Sequence, residues 1–396
     1  MHVLILGTRG IPSSHGGFEM FAQDLSLFLR GRGHDVTVYC QVGKEEQFRE
    51  DEWNEIRRVL IPVREGSIGT ILFDWRAIRH SMREKGVILT LGYNTAIFNA
   101  LYRFRGLPNI MNMDGVEWRR KKWSKLARIW FWLNEWAGAR VATHLVADHP
   151  EIGKHLLRHT SSGKITVIPY GADLVSSAPV DLIRHYGLIP KEYYLLIARP
   201  EPENSILEIV RAYSLRPRGM PLVVLGKYTR NDTRYQNKVL DAAGPEIKFL
   251  GAIYDRDVVR ALRFYARAYI HGHSVGGTNP SLVESLAAGN AVVALDNLFN
   301  RWVAGEGARY FQSPEELAEI LDFLETDSTQ LLSMEEASRR RHRESFTQGK
   351  VLGAYEELLL RFSLSTKCVI RIREATRTAS QSAGDVSCDV SSQCSD

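Results

Sequence analysis

A chain of 396 residues, 44% hydrophobic and 24% charged, has the make-up of an ordinary globular protein and is long enough for two full cores. No window approaches the roughly 18 apolar residues of a membrane span, and the run Val3-Leu4-Ile5-Leu6 is too short for the apolar part of a secretory signal. The net charge is +5, and the cysteines Cys40, Cys368, Cys388 and Cys394 have no metal or disulfide spacing, which points to a reducing cytoplasm.

In chain order, short apolar runs predict strands at 2–6, 35–40, 57–61, 87–91, 109–113, 142–147 and 165–168. A second series follows at 193–198, 221–225, 247–250, 268–272 and 291–295. Helical spacing lies between them, as at 18–31, 205–213, 256–267 and 282–288. Alternating strand and helix argues for parallel sheets with helices on both faces, and two series argue for two doubly wound domains. The turn Pro169-Tyr170-Gly171 and the stretch after it place the boundary so that 1–172 and 173–362 are the two domains. A last helix is expected from Val351 to Phe362, and 363–396 reads as a disordered polar tail.

The first strand opens into a glycine loop, Gly7 to Gly17, ahead of a helix, which is a generic phosphate cradle. Its spacing is not Gly-x-Gly-x-x-Gly, so a dinucleotide reading is weak. The most informative stretch is His271 to Glu284. A strand leads into Gly276-Gly277, where the backbone can approach a ligand closely, and then into a helix start. That helix start offers unpaired N–H groups and a partial positive charge to a phosphate. Glu284, about one turn inside, is placed to accept hydrogen bonds from a sugar diol. Asp114 ends a strand before Gly115. It either binds sugar hydroxyls and takes an acceptor proton, or forms an Asx-type turn.

Other signals are decoys. Asp255-Arg256-Asp257 reads as a helix cap rather than a metal motif. His271 and His273 have no carboxylate or thiol at ligand spacing, so no zinc site is expected, though His273 is placed to touch a donor.

Five of the eight tryptophans fall in 118–136, and residues 119–140 carry seven basic side chains against one acid. Positions 123, 126, 127, 130, 133 and 137 form one apolar stripe, and 129, 132 and 136 a second. One stripe docks on a sheet. The second is either buried as well or lies on a membrane surface, with Arg119, Arg120, Lys121, Lys122, Trp123 and Trp130 at anionic lipid. No nucleic-acid recognition motif accompanies the basic run.

The stretch Ser274 to Glu284 and the start Gly16-Gly17-Phe18-Glu19 resemble the donor site of retaining GT-B glycosyltransferases, family 4. Gly7-Thr8-Arg9-Gly10-Ile11-Pro12, His15 to Glu19 and Asp114 to Arg120 are similar to a bacterial rhamnosyltransferase subfamily that builds polysaccharide repeat units. The resemblance covers roughly residues 1–360. It implies an α/β GT-B fold, two doubly wound Rossmann-like domains facing across a cleft, with a C-terminal helix crossing back to the first.

On that resemblance, Glu284 holds the donor ribose, and Gly16 and Gly17 face the donor diphosphate and the acceptor. Arg199 is aimed at the diphosphate, for which an arginine fork suits. The family's lysine falls on Asn204, and the first glutamate of its Glu-x7-Glu motif falls on Gly276. Lys227 either replaces the lost charge or is an exposed loop lysine. The implied donor set is Gly16, Gly17, Asn204, Lys227, His273, Gly276, Gly277, Thr278, Asn279 and Glu284, with Asp114 and Arg199 catalytic. The implied reaction moves rhamnose from a dTDP donor to a lipid-linked saccharide, on the inner face of the plasma membrane, with no cofactor or metal. A nucleotide-sugar epimerase of the same fold and a non-catalytic nucleotide-sugar-binding subunit are the alternatives.

Overall fold

The computed structural model describes residues 1–13, 17–120 and 123–363. Eight strands form the first sheet: β1 (His2–Leu6), β2 (Asp35–Val42), β3 (Arg49–Trp53), β4 (Ile56–Pro62), β5 (Val87–Leu91), β6 (Asn109–Asn112), β7 (His144–Ala147) and β8 (Ile165–Val167). Their order is β3-β4-β2-β1-β5-β6-β7-β8. Six more form the second: β9 (Tyr194–Ile197), β10 (Leu222–Leu225), β11 (Ile247–Gly251), β12 (Ala268–His271), β13 (Ala291–Leu295) and β14 (Arg309–Phe311), ordered β11-β10-β9-β12-β13-β14.

Every pairing is parallel except β3 with β4. Val3, Leu4 and Ile5 are wholly buried, as are Leu195, Leu196 and Val223. Strands covered on both faces read as continuous apolar runs, which is why the sequence reveals them. It does not reveal β3, whose residues Arg49, Glu50, Asp51 and Glu52 look like solvent loop. That strand is held as an edge hairpin by charge pairs across the ladder: both Arg58 Nε and Nη2 donate to Asp51 at 2.7 Å, and Arg57 Nε to Glu50 at 2.8 Å. The three-residue β14 is likewise too short to show a period.

The helix at 348–363 leaves the second sheet and packs on the first. Val351, Leu352, Tyr355, Leu358 and Leu359 share a core with Val3, Phe21 and Leu25. Each such side chain stabilises the arrangement by about 1.5–3 kcal/mol. Glu356 adds a clamp, 2.8 Å from His34 and 3.2 Å from Arg32. The polar tail from 364 onward lies outside the described residues.

The helix Lys125–Val141 docks differently from the expected stripe. Its buried positions are Asn134, Glu135, Ala137, Gly138 and Ala139. Gly138 allows the close approach: a Cβ there would come within 2.9 Å of Met111 Sδ. The two polar residues are buried because each is satisfied. Asn134 Oδ1 accepts the Ile97 N–H at 3.0 Å; Glu135 accepts from Trp118 Nε1 at 2.9 Å and lies 2.8 Å from His155 Nε2. Leu126 and Leu133, expected inside, are exposed.

Candidate active site

In an open parallel sheet, loops leave in opposite directions where the strand order reverses, and the crevice between them receives ligands. In the second sheet that point lies between β9 and β12. Arg199 follows β9, and the glycine loop follows β12. In the first sheet it lies between β1 and β5. The carboxyl ends of both sheets meet across one cleft.

Arg199 is exposed at the rim, as is Lys227 beyond β10. Asn204 is buried and its Nδ2 donates to the Arg199 carbonyl at 2.9 Å, so it fastens the Arg199 turn. His271 and His273 stack with centroids 4.4 Å apart and planes 9° apart. Burial first, then the Arg120 and Arg199 cations, lowers His273 to about 4, so its ring is neutral at physiological pH. Among the described residues its Nδ1 is buried without a hydrogen-bond partner, and its carbonyl is gripped by the Asn297 and Asn300 amides at 3.0 and 2.9 Å.

The loop from Ser274 to Ser281 is pinned at both ends. Ser274 donates to the Glu203 carbonyl through N–H at 2.9 Å and hydroxyl at 2.8 Å. Gly276 has φ +123°, a conformation that favours glycine. Thr278 is buried, and its N–H donates to Asp148 Oδ2 at 2.9 Å. Asn279 caps the helix Pro280–Ala287, accepting the Ser281 N–H at 3.0 Å. Both residues thus shape the loop. Glu284 is half-buried on that helix, and Arg263 pairs with its Oε2. Arg263 is itself buried and donates to Ser281 Oγ at 3.0 Å, which fixes the Glu284 rotamer from behind.

The facing wall comes from the first sheet. Asp114 follows β6 in a left-handed conformation, φ +48°, and its N–H donates to Asn112 Oδ1 at 2.8 Å. Asn112 in turn donates to Tyr355 Oη at 2.7 Å. The turn here is therefore made by the Asn112 side chain, and Asp114 is the residue it holds in the left-handed conformation. Asp148, at the end of β7, was not expected. It is 2% exposed, and burial followed by the Asp114 carboxyl raises it to about 8. Its only signal is a carboxylate at a strand end in Ala147-Asp148-His149-Pro150. The Gly115 backbone touches the loop as well: a Cβ on Gly115 would lie 3.4 Å from Gly276 Cα.

Three expected membrane contacts turn inward. Arg120 Nη1 lies 2.9 Å from Glu117 and its Nε 3.0 Å from Glu203 of the second domain. Trp123 Nε1 donates to Glu117 at 3.0 Å and Trp130 Nε1 to the Asn94 carbonyl at 2.8 Å. Arg119 stays exposed, 5.2 Å over the Trp118 ring. Gly16, Lys121 and Lys122 lie outside the described residues, while Gly17 opens the helix Gly17–Gly31. The outward face of the helix Lys125–Val141 carries Leu126, Ile129, Trp132, Leu133 and Trp136, each between 43% and 80% exposed. Among the described residues no helix is long and apolar enough to cross a membrane. Asp255 caps its helix as expected, accepting the Asp257 N–H at 2.9 Å and the Val258 N–H at 3.2 Å.

Residues 1–173 match the family model described as a domain of unknown function, DUF1972. Comparison with curated proteins finds no match. Among solved structures, the chain is similar to sucrose-phosphate synthase from Thermosynechococcus elongatus, at 15% identity and a TM-score of 0.77, covering 92% of this chain and 99% of that one. It is similar to Anabaena HepE in complex with UDP-glucose, at 15% identity and 0.72, covering 91% and 100%. It is similar to an α,α-trehalose-phosphate synthase (UDP-forming) from Burkholderia xenovorans, at 13% identity and 0.70, covering 91% and 100%. With the sheet order and the crossing helix, these likenesses establish the fold: two Rossmann-like domains in the GT-B arrangement.

Proposed function

We propose that this protein is a retaining glycosyltransferase whose nucleotide-sugar donor lies at the β9/β12 reversal. The observation that carries the reading is the set converging there: Arg199, the Gly276-Gly277 loop, the Pro280–Ala287 helix start and Glu284 with its rotamer fixed by Arg263. Arg199, with Lys227 beside it, would meet the charge that develops on the leaving diphosphate. Glu284 would hold the ribose with its remaining oxygen. Gly276, with open space where a side chain would stand, would admit the diphosphate close to the backbone. Asp114 would orient the acceptor hydroxyl, and Gly16 and Gly17 would border the same space. No protein nucleophile is required if the leaving phosphate helps take the acceptor proton.

Rhamnose from dTDP-rhamnose is the donor that the sequence resemblance supports, and UDP-glucose is the ligand in one similar structure. The acceptor we infer is a saccharide on a lipid carrier at the inner membrane face. The exposed apolar face of Lys125–Val141, preceded in the sequence by Arg119, Lys121 and Lys122, supports it. A separate cavity of about 300 Å³ between the domains, lined by Arg119, Lys154 and Arg158 with one acid, Glu151, would suit an anionic head group. Residues 1–172 would serve the acceptor and 173–362 the donor.

The experiment is a thermal-shift screen of UDP-, dTDP- and GDP-sugars, because a ligand that binds only the native state raises its stability. A shift with one nucleotide class supports the reading. No shift with any of them at millimolar concentration removes it.

A further inference from the structure

Asp148 belongs to the first sheet, and its partner belongs to the second. Its Oδ2 accepts the Thr278 N–H at 2.9 Å, and its backbone carbonyl accepts the Thr278 hydroxyl. The loop reaches this carboxyl only because residue 277 is glycine: a Cβ there would fall 2.1 Å from Oδ1. Among the described residues, Oδ1 is buried and has no hydrogen-bond partner.

Among the described residues, the titratable groups that face the carboxyl come from three further elements. They are Asp114 after β6, Tyr170 after β8 and Tyr355 of the helix at 348–363. None of them is a cation. An ionised Asp148 would be a desolvated charge beside a second carboxylate, with only the Thr278 N–H and its own backbone N–H to answer it among the described residues.

We propose that Asp148 is a positioning residue which, as the neutral acid, clasps the donor loop at Gly277–Thr278 to the N-terminal domain and so sets the closed cleft. The proposal rests on the reading of Ser274–Ser281 as the donor loop. In an opened cleft Asp148 meets water and returns to the ordinary carboxylate range, about 3.9. The closed form, in which burial lifts it to about 8, then holds a proton that the open form releases. Closure is therefore strongest below the ordinary range. It weakens about tenfold per pH unit as pH rises through the interval, and above about 8 the dependence ends.

Amide hydrogen exchange on the full chain reads the clasp directly. The peptide spanning 274–283 is followed in wild type, Asp148→Asn and Asp148→Ala from pH 6 to 9, after correction for intrinsic exchange. Wild-type protection should fall at least tenfold between pH 6 and 8 and then level off. Asp148→Asn, which mimics the neutral acid, should stay protected with no pH dependence, while Asp148→Ala should be unprotected throughout.

Equal wild-type protection at pH 6 and 9 would overturn the proposal, as would Asp148→Asn behaving like Asp148→Ala. Loss of protection across β6 and β7 in both variants would overturn it too, marking Asp148 as a core support. UDP and dTDP titrations on the same proteins keep the two readings apart. If wild type binds neither, the donor reading falls while the exchange result still judges the clasp.

Discussion

Arg120 on the N-terminal wall of the cleft stands 3.0 Å from Glu203 on the C-terminal wall, and 2.9 Å from Glu117 on its own. The pair sits where Glu203 also receives Ser274 through its carbonyl. Charge on one domain is thereby tied to the start of the donor loop on the other. Glu203 is 10% exposed and Arg120 26%, so salt screens the pair less than it screens a surface bridge. In a double-mutant cycle of Arg120→Ala and Glu203→Ala, the coupling should be about 0.5–3 kcal/mol in unfolding free energy or donor affinity. Strict additivity of the two would show that the pair holds nothing together.

Glu284→Gln should weaken donor binding with the fold intact. Loss of a charge-assisted bond to a diol costs about 1.5–3 kcal/mol, or roughly 10- to 150-fold in Kd. Both variants should lower the melting temperature, because each strips the buried Arg263 of its carboxylate, and Glu284→Ala by more, because it also removes the hydrogen-bond acceptor. Calorimetric titration of the Gln variant decides the matter, and an unchanged Kd takes Glu284 out of the site.

Asp114→Asn keeps the shape and, like Asp, tolerates the left-handed backbone at φ +48°. Turnover should fall by tenfold or more while donor affinity holds. If turnover stays within about twofold, a barrier change under 0.5 kcal/mol, the residue only makes the turn.

The outward face of the helix Lys125–Val141 should bind anionic vesicles. Replacing Ile129, Trp132 and Trp136 with serine should abolish sedimentation with them, since those side chains are exposed and their removal leaves the buried face untouched. Replacing Arg119, Lys121 and Lys122 should weaken it by about 1 kcal/mol per charge. Arg120 is left in place because Glu117 and Glu203 hold it. Wild type that ignores vesicles would confine the tryptophans to a protein contact.

The sequence discloses most of the fold because parallel strands buried on both faces carry their own signal, as in Val3-Leu4-Ile5-Leu6. It hides β3, whose stability lies in arginine–carboxylate pairs with β4 and not in apolar burial. The proposed donor loop is legible because glycines, a helix start and Glu284 are neighbours in the chain. Asp148 was not, because Thr278 is 130 positions away and neither residue looks unusual alone. Asn204 and Asn279 were placed as donor contacts by resemblance. In the structure Asn204 Nδ2 and Asn279 Oδ1 bond backbone groups nearby, which no spacing foretells. The helix at 125–141 was misread for a related reason. Hydrophobicity pointed to Leu126 and Leu133, while the dock is made by Gly138 and by two polar side chains with partners.

The most direct test is transfer itself. The protein is incubated with labelled dTDP-rhamnose, and in parallel UDP-glucose, together with bacterial lipid extract. Released nucleoside diphosphate and label in the organic phase are both measured. The account predicts that one donor yields both in equal amounts, with the sugar's anomeric configuration retained. Nucleotide release without labelled lipid, an epimerised donor without acceptor, or a bound donor that never reacts would each contradict it.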